Sequence, residues 1–193
     1  WRQPLPRITQ QMRHRAHQLR ESTDRAIMCA FGGNLLEWSQ FLRGFGQFLM
    51  DLADRPADVH RLLDALVEHH LLILNVDPAA VGDLIDIVQM GDDLGTQHGP
   101  QISPQMYREF FLPRHRRIYS RVKEASGLPV FLHSCGGIYE LIPDLIEAGV
   151  DILNPVQTSA ANMAPDARPR RRWSRARPKT YAGRFVSASR YST

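Results

Sequence analysis

The apolar positions of this chain follow two periods, one typical of β-strands and one typical of α-helices. Short apolar runs predict buried strands over residues 25–31, 84–90, 129–132 and 151–156. Apolar residues at helical spacing predict helices over residues 7–24, 35–52, 56–76, 103–126 and 138–146. Because strands and helices alternate after the first helix, the pattern indicates an α/β chain with a parallel sheet.

Proline and glycine residues mark several of the expected helix ends. Pro56 stands where a proline is tolerated in a first helical turn. Gly127 and Gly149 stand where glycine caps the C-terminal end of a helix. Pro113 falls inside the fourth predicted helix, and we expect it to kink or divide that helix because proline lacks a backbone N–H.

The third predicted strand ends in His133-Ser134-Cys135, which a turn at Gly136-Gly137 follows. Functional residues of parallel α/β folds gather at the carboxyl ends of the strands. His133 and Cys135 are two residues apart, so on a strand their side chains point to the same face. An imidazole and a thiol that converge there predict half of a zinc site. The alternative is that both are packing residues.

Other polar residues follow the ends of predicted strands. Asp92 and Asp93 come directly after the second strand, where they are candidates to hold a substrate cation, orient a metal ligand or accept a proton. Gln97 lies in the same loop, while Asn154 and Gln157 follow the last strand, and all three are candidate substrate contacts. The alternatives are a solvated acidic turn and ordinary structural polar residues.

Length and composition change this picture little. The chain has 193 residues with 43% hydrophobic and 23% charged residues, which is typical of a globular domain. No apolar run approaches the roughly 20 residues of a membrane-spanning helix. Two cysteines are too few for a disulfide framework, so a reduced cytoplasmic setting is the expected one. The first residue is Trp1 rather than Met, which suggests a fragment or a processed product.

The net charge of +4 is distributed unevenly. Residues 164–193 contain nine basic residues and one acidic residue, so they carry +8 and the rest of the chain carries −4. This tail has no apolar periodicity, and we expect it to be either disordered or the product of an out-of-frame reading. A basic tail that binds nucleic acid or a membrane is the less favoured alternative. The expected domain is therefore residues 1–163.

Three segments together resemble the uroporphyrinogen decarboxylase superfamily, in the expected order. They are Phe41–Leu52, the run Gly91–Gly95 with Ser103-Pro104 and Met106-Tyr107 after it, and His133–Pro155. The superfamily also contains zinc-dependent methyltransferases that move a methyl group between a corrinoid protein and a thiol or folate. The resemblance covers roughly residues 7–163 and implies a (β/α)₈ barrel. A complete barrel needs about 250 residues and eight strands, so the four strands here predict an incomplete barrel.

The methyltransferase branch of this superfamily implies a role for each candidate residue. His133 and Cys135 would bind Zn²⁺, with a third ligand in the part of the protein that this chain lacks. Asp92 and Asp93 would contact the metal ligands or the substrate. The partners would be a small-molecule substrate, a corrinoid protein and a second copy of the chain in a homo-oligomer.

Two other functions stay open at this stage. Uroporphyrinogen decarboxylation in porphyrin synthesis would need neither metal nor cofactor. The His-Ser-Cys strand end and the absence of the expected tyrosine at Gln40-Phe41 speak against it. The other possibility is that the chain is an inactive fragment or a structural module.

Overall fold

A computed structural model of the protein describes residues 6–74 and 81–164. Their helices, in chain order, are α1 Pro6–Ser22, α2 Leu36–Arg43, α3 Phe45–Asp54, α4 Pro56–Leu74, α5 Pro104–Met106, α6 Leu112–Ser126 and α7 Ile142–Ala148. The strands are β1 Met28–Gly32, β2 Ile87–Gly91, β3 Val130–His133 and β4 Ile152–Asn154. A π-helical segment, Tyr107–Phe111, joins α5 to α6, and a 3₁₀ turn, Tyr139–Leu141, precedes α7.

The four strands form one parallel sheet in the order β1-β2-β3-β4. All four predicted strands and their parallel arrangement are confirmed. The expected burial of the first strand is wrong, because β1 lies at one edge of this sheet, where Met28 is 46% exposed and Cys29 is half-buried. Crossovers between neighbouring parallel strands are right-handed, so a sequential order places every crossover helix on the same face of the sheet. The side chains on that face, Val88, Met90, Val130 and Leu132, lie in the buried core. The opposite face carries Gln89, Phe131 and His133, which are only half-buried.

The predicted helix over residues 35–52 is divided in two. Gly44 has a φ of 89° and a ψ of 136°, and it separates α2 from α3. In α2, Phe41 is 75% exposed and Leu42 is 56% exposed. The prediction of one helix over residues 35–52 is therefore wrong at Gly44. Phe48 in α3 is fully buried.

Proline and glycine act in the structure as the sequence predicts. The helix that contains Pro113 is interrupted by the π-helical segment that ends at Phe111, just before the proline. Gly127 and Gly149 end α6 and α7 with positive φ angles of 68° and 112°. The third predicted helix, from Pro56, is observed to Leu74, and its predicted last residues lie outside the described part of the chain.

No helix in the described part of the chain is both long enough and apolar enough to cross a membrane. The predicted Arg-rich tail lies, apart from Ala164, outside the described residues.

Candidate metal centre

The register of the sheet brings the end of β2 and the end of β3 to the same level. Gly91 pairs with His133, so Asp93 and Cys135, each two residues further on, follow their strands side by side. The backbone N–H of Cys135 donates to Asp93 Oδ1 over 2.8 Å. Ligand atoms of Asp93, His133 and Cys135 all lie within 4.8 Å of one another. The sheet therefore collects a carboxylate, an imidazole and a thiol at its carboxyl edge.

The imidazole of His133 is held in one tautomer. Its Nδ1 lies 3.0 Å from Asn154 Oδ1, and an amide oxygen only accepts, so Nδ1 carries the proton. Nε2 then presents its lone pair, and it lies 3.4 Å from Cys135 Sγ. A second partner that fixes the ring in this way is typical of histidines that bind metals. Asn154, a predicted substrate contact, thus orients a predicted metal ligand.

The turn after Cys135 is fixed by close packing and by one side chain. Gly136 has a φ of 88°, and a Cβ on it would lie 2.5 Å from the carbonyl carbon of Gly95. Only glycine fits this contact. The N–H of Gly136 donates to Gln157 Oε1 over 2.8 Å. Gln157 therefore supports the backbone next to Cys135, whereas Gln97 is exposed.

The charge around Cys135 disfavours its thiolate when no cation is bound. Burial raises the pKa of the Cys135 thiol above its ordinary value, and the nearby carboxylates of Asp93 and Glu37 raise it further. A cation among these groups would have the opposite effect, because it stabilises the thiolate directly. The electrostatics of the site therefore favour a bound cation.

Asp92 lies beside Asp93 in the chain but points into the core. It is fully buried, and its Oδ2 accepts from the N–H groups of Leu35 and Leu36 while Oδ1 accepts from that of Glu37. Its carboxylate thus caps the N-terminus of α2, where a negative charge is favourable. The structure places Asp92 apart from the open face, and its predicted catalytic role stays a prediction.

Two buried side chains complete the surroundings of Asp92. His115 Nε2 lies 3.2 Å from Asp92 Oδ2, and Tyr107 OH lies 3.0 Å from His115 Nδ1. Burial raises the pKa of Tyr107 well above its ordinary value, so its hydroxyl stays protonated beside the His115 ring. His115, which the sequence did not mark as a site residue, is fully buried. The residues next to His115 in the chain are polar, so the local pattern does not indicate that it is buried.

Sequence reasoning also missed Glu37 and Gln101. Glu37 Oε2 accepts from the N–H of Asp93 over 3.1 Å, and Gln101 Nε2 donates to the carbonyl of Asp93 over 2.8 Å. A signal for Glu37 was present, since Asn34 and Glu37 have the spacing of a capping box at a helix start. No local pattern marks Gln101, because its contact depends on how the loop folds back.

A family model named "Uroporphyrinogen decarboxylase (URO-D)" matches residues 16–170 of the chain. The match covers most of the sequence. The chain belongs to the URO-D family. The resemblance that the three sequence segments carry is thereby confirmed.

Relatives of this URO-D chain include proteins of both branches. The chain is 33% identical over 116 residues to a uroporphyrinogen decarboxylase from Saccharopolyspora erythraea, and the match covers 56% of this chain and 30% of the relative. The chain is also 30% identical over 118 residues to a methylated-thiol–coenzyme M methyltransferase from Methanosarcina mazei. That match covers 61% of this chain and 26% of the relative. The chain thus matches at most about a third of the length of these curated relatives.

A solved structure of a methyltransferase from Methanosarcina mazei has a similar fold. The TM-score is 0.57 with 16% sequence identity, and the match covers 81% of this chain and 45% of the other. Together with the four parallel strands, this likeness confirms the prediction of an incomplete barrel of the URO-D type. At this identity the likeness describes the fold alone.

Proposed function

We propose that this URO-D family chain belongs to a zinc-dependent methyltransferase, in which Asp93, His133 and Cys135 bind the metal. The observation that supports the proposal most strongly is the convergence of their ligand atoms within 4.8 Å. The metal, the substrates and the partner are all parts of this proposal.

The three side chains fit zinc by their chemistry. Imidazole nitrogen, thiolate sulfur and carboxylate oxygen are its ordinary protein ligands, and catalytic zinc sites combine three protein ligands with one open position. The sequence alone pointed to two ligands in this chain and a third elsewhere. With Asp93 as a ligand, the site no longer depends on a residue from outside the chain.

The chemistry of the proposed site is activation of a thiol. A zinc ion with an open position supplies a Lewis acid that lowers the pKa of a bound substrate thiol. His133 and Cys135 would hold the metal on the half-buried face of the sheet, and Asn154 would keep the His133 ring in its binding tautomer. The substrate thiol would lose its proton to solvent, and its sulfur would take the methyl group as the bond to the donor breaks.

The partner in this proposal is a corrinoid protein that donates the methyl group, and the acceptor is a thiol or a folate. The methylated-thiol–coenzyme M methyltransferase from Methanosarcina mazei supports the thiol, because its name includes a methylated thiol.

Uroporphyrinogen decarboxylation is the second candidate. The relative from Saccharopolyspora erythraea supports it, with 33% identity. The resemblance implies that this branch works without a metal, so the two functions differ in their need for zinc. An inactive fragment or structural module is the third candidate, because the chain matches at most about a third of the curated relatives' length.

Elemental analysis of the purified chain tests the proposal. We expect about one zinc per chain in the wild type, in line with a three-ligand site, and loss of that zinc in Cys135→Ala. Cys29→Ala is the matched control, because it removes the other cysteine, which lies in β1, and it should keep the metal. No zinc in the wild type, or equal zinc in Cys135→Ala, would reject the site and favour the decarboxylase.

A further inference from the structure

The start of α2 and the end of β2 hold each other through hydrogen bonds in both directions. Asp92 accepts from the N–H of Leu35, just before α2, and from those of Leu36 and Glu37 in its first turn. In return, Glu37 of that turn accepts from the N–H of Asp93 over 3.1 Å. A capping box has this reciprocal arrangement within one segment, but here a different strand supplies the capping residue.

The carbonyl of Asp93 is also tied to α2. Gln101 Nε2 donates to Asp93 O over 2.8 Å, and Gln40 Nε2 donates to Gln101 Oε1 over 2.8 Å. Side chains linked to α2 therefore hold Asp93 at both its N–H and its carbonyl. Its carboxylate in turn accepts from the N–H of Cys135. The position of the Asp93 carboxylate thus depends on α2.

We propose that Glu37 is a positioning residue, which fixes the backbone of Asp93 so that its carboxylate faces His133 and Cys135. The inference rests on the proposed metal site. Glu37 is not needed to cap α2 with its side chain, since Asp92 accepts the N–H groups of the first turn. The Glu37 side chain accepts instead from the Asp93 N–H and from Asn34 Nδ2. Its removal should loosen the site and leave the cap intact.

The test measures the zinc affinity of the full chain by competition with a chromophoric chelator. We expect Glu37→Ala to bind zinc about 10- to 100-fold more weakly, which is typical when a partner of a metal ligand is lost. Glu37→Gln keeps an oxygen that accepts from the Asp93 N–H and should restore most of the affinity. Glu21→Ala removes an exposed glutamate of α1 and should bind like the wild type.

Amide hydrogen exchange gives a readout that needs no metal. In the zinc-free protein, Glu37→Ala should speed the exchange of the Asp93 and Cys135 amides while that of Leu36, which Asp92 holds, stays slow. If Glu37→Ala does not fold, Gln101→Ala removes the other contact to Asp93 and should weaken zinc binding in the same way.

The outcomes separate this inference from the proposed function. A wild type that binds no zinc would overturn both. A wild type that binds zinc, together with a Glu37→Ala variant of equal affinity and unchanged exchange at Asp93, would overturn the role of Glu37 alone.

Discussion

Replacement of Asp92 by alanine tests how the chain joins β2 to α2. Asp92 and His115 are both fully buried, and the carboxylate accepts from three backbone N–H groups and contacts the ring of His115. A buried polar group that loses its partner costs about 1–3 kcal/mol, and loss of an N-cap costs about 0.5–2 kcal/mol. Water can reach part of the helix start, since Glu37 is half-exposed. We therefore expect Asp92→Ala to lower the free energy of unfolding by about 1.5–5 kcal/mol, the sum of these two costs.

Asp92→Asn is the conservative variant. The amide of the new asparagine keeps one oxygen that accepts a hydrogen bond. Its NH₂ group would face a backbone N–H, and two donors cannot form a hydrogen bond with each other. We expect a smaller loss, on the order of half that of Asp92→Ala. Urea unfolding followed by circular dichroism measures both variants. Asp24→Ala removes an exposed aspartate and should change stability by less than about 0.5 kcal/mol. A loss below about 1 kcal/mol in Asp92→Ala would refute the capping role.

Three further predictions concern the helix break, an ion pair and the metal ligand. Gly44→Ala should destabilise the protein by about 1–3 kcal/mol, because the backbone φ is 89° at this position. Gly46→Ala, inside α3, should instead stabilise it by about 0.5–1 kcal/mol. Equal effects of the two substitutions in urea unfolding would contradict this prediction. Hydrogen bonds from Arg43 and Gln47 lower the pKa of Asp51 in the folded protein. The ionised Asp51 carboxylate therefore stabilises the fold above the unfolded-state pKa of about 4, and this stabilisation is lost as the pH falls through the folded-state pKa. Asp51→Asn should therefore be less stable than the wild type at neutral pH, with a difference that shrinks in acid; a difference independent of pH would count against the pair. Asn154→Ala should weaken zinc binding about 10- to 100-fold, while the exposed Ser159→Ala should not, and equal affinities would remove Asn154 from the site.

Much of the fold could be predicted from the sequence because local patterns encode it. Each strand is a short apolar run, and Gly127 and Gly149 mark helix ends. The failure at Gly44 has a physical cause: Phe41 and Phe45 have helical spacing, and spacing alone does not show that glycine breaks the helix between them. Which side of an apolar helix faces the core depends on packing that a local pattern does not contain.

The candidate site was predictable where it depends on strand ends. His133 and Cys135 follow from a spacing of two at the end of β3, and Asp93 follows from the loop after β2. Their grouping needed the register of β2 against β3, which brings residues 42 positions apart into contact. The contacts of Glu37 and Gln101 were missed because they too depend on tertiary structure.

The central claim is that Asp93, His133 and Cys135 together bind a divalent metal. Titration of the zinc-free chain with Co²⁺, which takes the place of zinc and absorbs visible light, tests it most directly. We expect saturation at about one Co²⁺ per chain with a thiolate-to-cobalt absorption band, in a site of three protein ligands. Cys135→Ser should lose the band, Cys29→Ser should keep it, and His133→Ala and Asp93→Ala should bind more weakly. A wild type without the band, or a band that persists in Cys135→Ser, would contradict the account.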